Sequence, residues 1–384
     1  MASSSSRLLV FGSGRYDVMI VMTVYLDANA TEVLRPAALD AMVSASVLAG
    51  NPSSVHAAGR AARRVLEDSR TVLGRSFGVD ADQVVFTSGG TEANVLAIHA
   101  FGQGRPIMIG ATEHDAVRQA APHAVVLPVG RDGVLDRQGL GACLAEAPGA
   151  FVCVMAANNE TGVLHPLHEV SAICARYGAW LHVDAVQQAG RVPLDFATTR
   201  ADSMAISGHK FGGPKGAGAL LLRESRKVAP LIAGGGQERG RRGGTPALPA
   251  IAGMAAALPV ALAQDWTVIA RLRDAIDVAA RQVGAMVAGD GLAPRLPNTT
   301  CLVLPNVPAQ TQLMALDLAG FAVSAGSACS SGKVTASHVL MAMGLKKLAT
   351  QAIRVSLPWN VEAAAVDRFI IAYAELAGRL GKRA

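Results

Sequence analysis

Short apolar runs alternate with longer helix-like stretches between residues 84 and 222, and this rhythm constrains the fold more than any other feature of the chain. The runs are VVFTS (84–88), PIMIGA (106–111), AVVLPV (124–129), AFVCVMA (150–156), AWLHVDA (179–185), SMAIS (203–207) and GALLL (218–222). Between most of them, segments 91–102, 114–121, 138–147 and 166–177 read as helices. Continuous apolar strands separated by helices imply an α/β unit whose mostly parallel seven-stranded sheet is covered on both faces. A helix over 56–77 precedes the set, and GNPSS (50–54) marks a turn before it.

After residue 246 the texture changes. Two long helical stretches, 247–264 and 265–287, lead to strand-like runs at 298–304, 321–326 and 352–358 and a last helix over about 361–380. This mixture predicts a smaller α+β unit, with the boundary near 264. A 384-residue chain that is 51% hydrophobic can bury both cores. The net charge of +6 is modest, and the arginines of RAARR (60–64) and ERGRRGG (238–244) lack interleaved aromatics. They read as local anion sites or solvated faces, so no direct nucleic-acid partner is expected. The five cysteines show no CxxC spacing, which removes the usual zinc and thioredoxin-like patterns. Their odd number favours a reducing compartment, and a cytoplasmic location is expected. Residues 1–22 carry short, interrupted apolar runs and are expected to be a disordered extension, with neither a signal peptide nor a membrane span.

In an open α/β sheet, function usually sits just beyond the carboxyl ends of the strands, and the polar motifs fall there. FTSGGTEAN (86–94) ends a strand in bare backbone and opens a helix at Thr91, a suitable anion cradle or an ordinary capped turn. His114 in EHDAV (113–117) follows a strand, where it can cap the next segment or stack on a flat ring. The asparagines of AANNETGV (156–163) can form a plain turn or supply amide hydrogen bonds. Asp184 ends an apolar strand, a costly position unless it caps a helix or meets a cation, and Gln187 follows three residues later. Lys210 in SGHKFGGPKG (207–216) stands just past a strand, as a Schiff-base lysine must. A nucleotide P-loop is excluded, because Lys215 is followed by glycine with no Ser or Thr for magnesium. Taken together, the lysine, aspartate, histidine and Gly-Gly-Thr describe a ligand with an aldehyde, an aromatic nitrogen and a phosphate: pyridoxal 5'-phosphate.

From Val24 to the last helix the chain resembles the class V, fold-type I pyridoxal phosphate enzymes, specifically the NifS/IscS-like cysteine desulfurases. YLDANAT, GNPSSVH, FTSGGTEAN, EHDAV, NNETGV, HVDAVQ, SGHKFGGPKG, GGGQERGRRGGT and SAGSACSSG stand in the family order. The resemblance implies residues 23–31 joining the small domain, a large cofactor domain over 32–264 and a small domain over 265–384. It makes Lys210 the covalent anchor and proton shuttle, Asp184 the partner of the ring nitrogen, and His114 the stacked and catalytic ring. Gln187 and Asn159 would meet the polar edge or the substrate, and Gly90, Thr91, Ser207 and His209 the phosphate. Thr245 would reach the phosphate of a neighbouring subunit, which implies a homodimer. Arg354 would bind the carboxylate of L-cysteine by a two-point contact.

Cys329, in SAGSACSSG (324–332), would attack the substrate sulfur as a thiolate, releasing L-alanine and keeping the sulfur as a persulfide for an acceptor protein. Iron–sulfur assembly is the expected destination. No permanent metal is implied, only a transient iron–sulfur ligand shared by Cys329 with a scaffold partner. An ordinary thiol, with a pKa of about 8.5, is little ionised near neutrality, so His114 or the cofactor ring is expected to lower that of Cys329. Cys143, Cys153, Cys174 and Cys301 read as apolar filler, and Lys215 as a loop charge. A selenocysteine lyase or aminotransferase is the alternative, and a catalytically silent scaffold a more distant one. An aminotransferase needs no thiol, so Cys329 in its motif argues against it.

Overall fold

The computed structural model describes residues 23–224, 228–291, 293–326 and 335–380. The expected extension at 1–22 and Cys329 both lie outside the described residues. The chain opens with β1 (Val24–Tyr25), α1 (Pro36–Ser46) and α2 (Ala57–Phe77). The large unit continues through β2 (Val84–Thr87), α3 (Gly90–Phe101), β3 (Ile107–Gly110), α4 (Asp115–Arg118), β4 (Val125–Leu127) and α5 (Arg137–Glu146). It closes with β5 (Phe151–Met155), α6 (Leu167–Arg176), β6 (Trp180–Asp184), α7 (Phe196–Thr199), β7 (Ser203–Ser207), β8 (Gly218–Leu222) and α8 (Leu248–Leu262).

All seven apolar runs form strands of one sheet, in the order β2-β8-β7-β6-β5-β3-β4. β8 alone runs against its neighbours β2 and β7, and the other pairings are parallel. Every residue of β5, β7 and β8 is buried, because helices cover both faces. One layer is α2, whose Ala62, Leu66, Leu73 and Phe77 recur at helical spacing and face the core. His56 caps that helix by accepting from the Gly59 amide at 3.2 Å, and Gly78, at φ 72°, ends it in the left-handed region.

The second unit holds α9 (Trp266–Gln282), β9 (Met286–Val287), β10 (Thr299–Val303), α10 (Ala309–Leu318) and β11 (Phe321–Ala322). It ends with β12 (Ser324–Ala325), α11 (His338–Ala342), β13 (Ala352–Ser356) and α12 (Ala363–Leu380). The stretch expected to be helical through 287 stops at Gln282, because Gly284 turns at φ 84° and Met286–Val287 joins the sheet beside β10. The run at 321–326 divides in two. Its first half pairs in parallel with β1, and its second half lies antiparallel to β13. Asp265 starts α9 by accepting from the Thr267 amide, so the helical pair breaks close to residue 264. No single described helix is long and apolar enough to cross a membrane.

Candidate active site

Strand ends bring the polar motifs to a cavity of about 250 Å³. Asp184 is the last residue of β6, Ser207 the last of β7, and the turn beyond Ser207 carries His209 and Lys210. The first turn of α3 contributes Gly90 and Thr91, while His114, Asn159 and Gln187 come from loops beyond β3, β5 and β6. All nine of these residues line the cavity. The amino end of α3 points bare N–H groups at one end of it, which favours an anion there. Gly90 is required for that approach, since a Cβ would stand 2.4 Å from Val186 Cγ2.

Asp184 also lines the cavity. Its Oδ1 accepts from the Val186 amide at 3.0 Å and its Oδ2 from Asn94 Nδ2 at 2.7 Å. Burial pushes its carboxyl up, opposed by the Val186 amide, His114, Asn94 and Lys210. A second carboxyl, Glu113, is wholly buried nearby. Its Oε1 accepts from the Met155 amide at 2.6 Å, and its Oε2 has no hydrogen-bond partner among the described residues. Burial and then the Asp184 charge push the Glu113 carboxyl well up, which favours its neutral form. Asp184 keeps the better donors, and a cation entering the cavity would complete its compensation.

The Lys210 amine donates to the carbonyls of Asn29 at 2.6 Å and Ala30 at 3.1 Å. Burial first, then Arg354 and Arg191, bring its pKa down to about 7. A substantial neutral fraction near physiological pH makes it a competent nucleophile. His114 both caps α4 and lines the cavity. Its Nδ1 accepts from the Ala116 amide at 3.0 Å, which places the proton of the neutral ring on Nε2. His209 is pushed down to about 4 by burial and by Lys210, Lys215 and Arg191, and its Nδ1 lies 3.1 Å from Thr31 Oγ1. Lys215 is exposed on its loop.

Gln187 faces the cavity with its amide already engaged: Nε2 donates to Asn29 O at 3.0 Å and Oε1 accepts from Arg191 at 2.7 Å. Arg354, on β13, stands beside the site. Its Nη1 donates to Asn159 O at 3.2 Å and its Nη2 to Asp27 at 2.7 Å, and its buried Nε has no hydrogen-bond partner among the described residues. Thr245 does not line this cavity. It borders a separate cleft with Ser88, Gly216 and Arg242. The loop bearing it is pinned by Glu238, which takes two hydrogen bonds from Arg70, at 2.7 and 2.8 Å, and one from the Phe86 amide at 2.9 Å. Glu238 and Arg239 adopt left-handed φ values of 49° and 59°, so this glycine-rich segment is a built loop.

Three contributors escaped the sequence reading: Asn94, Asp27 and Asn29. Asn94 lies one turn beyond Gly90 on α3, and that spacing was its only signal. Asp27 and Asn29 sit in YLDANAT, whose motif carries no chemistry of its own until Ser356 and Arg354 are folded against it.

A family model described as "Aminotransferase class-V" matches residues 24–369. The chain belongs to the class-V aminotransferase family. A class-V relative from Cereibacter sphaeroides, a cysteine desulfurase, is 42% identical over 90% of this chain and 94% of its own length. Cysteine desulfurase IscS of Dictyoglomus turgidum is 38% identical over 87% of this chain and 89% of its own. Among solved structures, a NifS-like protein from Rickettsia africae superposes with a TM-score of 0.86 at 32% identity, covering 92% of this class-V chain and 99% of its own. The fold is thus the α/β, fold-type I arrangement expected of the family, with the mostly parallel sheet as its large layer.

Proposed function

We propose that this class-V enzyme is a pyridoxal phosphate-dependent cysteine desulfurase. One observation carries the reading: a single cavity sets the low-pKa amine of Lys210 and the incompletely compensated carboxylate of Asp184 around space lined by a helix amino end. Those residues fit pyridoxal phosphate. Gly90, Thr91, Ser207 and His209 would hold its phosphate, Asp184 its ring nitrogen, His114 its face and Lys210 its aldehyde. Once bound, the cofactor supplies an electron-withdrawing ring that stabilises negative charge at the substrate carbons.

The chain's own groups then account for the rest of the reaction. Arg354 and Asn159 orient the carboxylate of L-cysteine, and the Nε of Arg354, unpartnered among the described residues, is a donor in reserve. Lys210, with a substantial neutral fraction near pH 7, moves the α-proton. The thiolate of Cys329 attacks the substrate sulfur. A sulfur–sulfur bond forms as the carbon–sulfur bond breaks, its electron pair stays with the former substrate carbon, and a proton completes L-alanine. The sulfur remains on Cys329 as a persulfide for an acceptor protein such as an iron–sulfur scaffold. Completion of the site by Thr245 of a second subunit makes the working form a homodimer. Cys143, Cys153, Cys174 and Cys301 form no disulfide among the described residues, which accords with a reducing, cytoplasmic setting.

Alanine and sulfide release from L-cysteine, measured with a reductant, test this reading. Wild type is expected to turn over, Cys329→Ala to lose activity while keeping its visible absorbance, and Lys210→Ala to lose both. Full activity in Cys329→Ala would eliminate the persulfide route.

A further inference from the structure

We propose that Asn94, His182 and Ser203 form a positioning relay that keeps the Asp184 carboxylate charged and aimed into the cavity. The relay thereby sets the protonation of a ring nitrogen bound there, and the inference rests on the cofactor reading above. The four residues make a continuous chain running away from the cavity. Asn94 Nδ2 lies 2.7 Å from Asp184 Oδ2, Asn94 Oδ1 lies 2.8 Å from His182 Nε2, and His182 Nδ1 lies 2.8 Å from Ser203 Oγ. Asp184 is 6% exposed, Asn94 1%, and His182 and Ser203 0%, so no bulk solvent can substitute for a missing member.

Local structure makes the alignment unavoidable. His182 and Asp184 are two residues apart on β6 and therefore share one face of the sheet. α3 packs over the sheet with Asn94 turned inward, and Ser203 is the register partner of His182 on β7. The polarity of the chain is equally constrained. Burial drives the His182 pKa down to about 3, so its ring is neutral and carries one proton. An ionised Asp184 accepts only. The Asn94 amide must then present its NH₂ to Asp184 and its oxygen to His182, which donates from Nε2 and accepts the Ser203 proton on Nδ1. Only an Asp184 that turned a proton toward Asn94 would require the amide, the tautomer and the hydroxyl all to reverse. Glu113, the neighbouring carboxyl, has one amide donor and no relay. The relay thus gives Asp184 a compensation that Glu113 lacks.

The test is reconstitution with pyridoxal phosphate labelled with ¹⁵N in the ring, read by NMR beside steady-state kinetics on L-cysteine. Wild type should show a protonated ring nitrogen. Asn94→Leu and His182→Phe should bind the cofactor but move the resonance toward free pyridine. Their kcat should fall roughly tenfold, as for lost outer-shell partners, while KM changes less than about twofold. Ser203→Ala, the mildest change, should shift the resonance partway, and Ser203→Thr, which keeps the hydroxyl, should restore it. The serine pair carries the test if the larger substitutions do not fold. Loaded Asn94→Leu, His182→Phe or Ser203→Ala protein with the wild-type resonance overturns the relay. A wild-type chain that takes up no pyridoxal phosphate overturns instead the reading on which it rests.

Discussion

Lys210 is surrounded by cations, Arg354 and Arg191 foremost after burial itself, and Asp184 and Asp27 only partly offset them. Its amine therefore loses its proton well below the ordinary lysine value, and the sign of the pH effect follows. The neutral amine is the nucleophile, so capture of pyridoxal phosphate by cofactor-free protein should quicken as pH rises and level off above about 7. Stopped-flow absorbance measures this directly. A rate still climbing to about pH 10 would mean that the amine titrates like an exposed lysine. At this scale the sequence was legible where a residue's chemistry is announced by its strand end, as for Asp184 and Lys210. It was illegible where chemistry depends on a distant partner. Asp27 is just a carboxylate near the start of the chain until β13 brings Arg354 to within 2.7 Å of it. Gln187 shows the converse: its position was legible, but its amide is committed to Asn29 and Arg191, which nothing near it in the sequence foretells.

Among the elements, the strands were easier to read than the short pieces that join them. Seven short apolar runs read as strands, and the sheet holds each of them, with β2 and β4 at its edges. Pro36–Ser46 went unnoticed as a helix because it offers no side-chain cap and little contrast between its faces; it forms by packing on α8. Two-residue strands such as Met286–Val287 exist only through their partner's register, and no local pattern marks them. The turn from β2 into α3 carries the sharpest consequence at this scale. Gly90→Ala would force its Cβ against Val186 Cγ2 and press on Ser207 Cβ, 3.3 Å away. Overpacking there is expected to cost about 1–3 kcal/mol, seen as a lower melting temperature. Cofactor affinity should fall as well, because the same turn forms the anion end of the cavity. A variant with unchanged melting temperature and unchanged titration by pyridoxal phosphate would show that the turn relaxes freely.

For the molecule as a whole, the separation of Thr245 from the cavity becomes informative. On the homodimer reading, each site needs Thr245 from the other subunit, so defects in Thr245 and Lys210 should complement. Mixed after reversible dissociation, Thr245→Ala and Lys210→Ala chains pair at random, and about a quarter of all sites regain both residues. Desulfurase activity should exceed the average of the two parent preparations by a corresponding amount. No gain on mixing would place Thr245 outside the shared site.

Asn29 receives a hydrogen bond from Lys210 and gives one, through its own amide, to Ser356 Oγ across 327 positions of chain. β1 likewise waits for Phe321–Ala322 before it has anything to pair with. Contacts so remote in sequence form late, since loop closure must precede them. The large sheet can therefore assemble around Asp184 and Lys210 while the floor under the lysine is still missing. A nascent or truncated chain would have most of the secondary structure and little of the catalytic environment. The colour of bound cofactor becomes a marker for the last stage of folding, and loss of β13 would delay it more than loss of many core side chains.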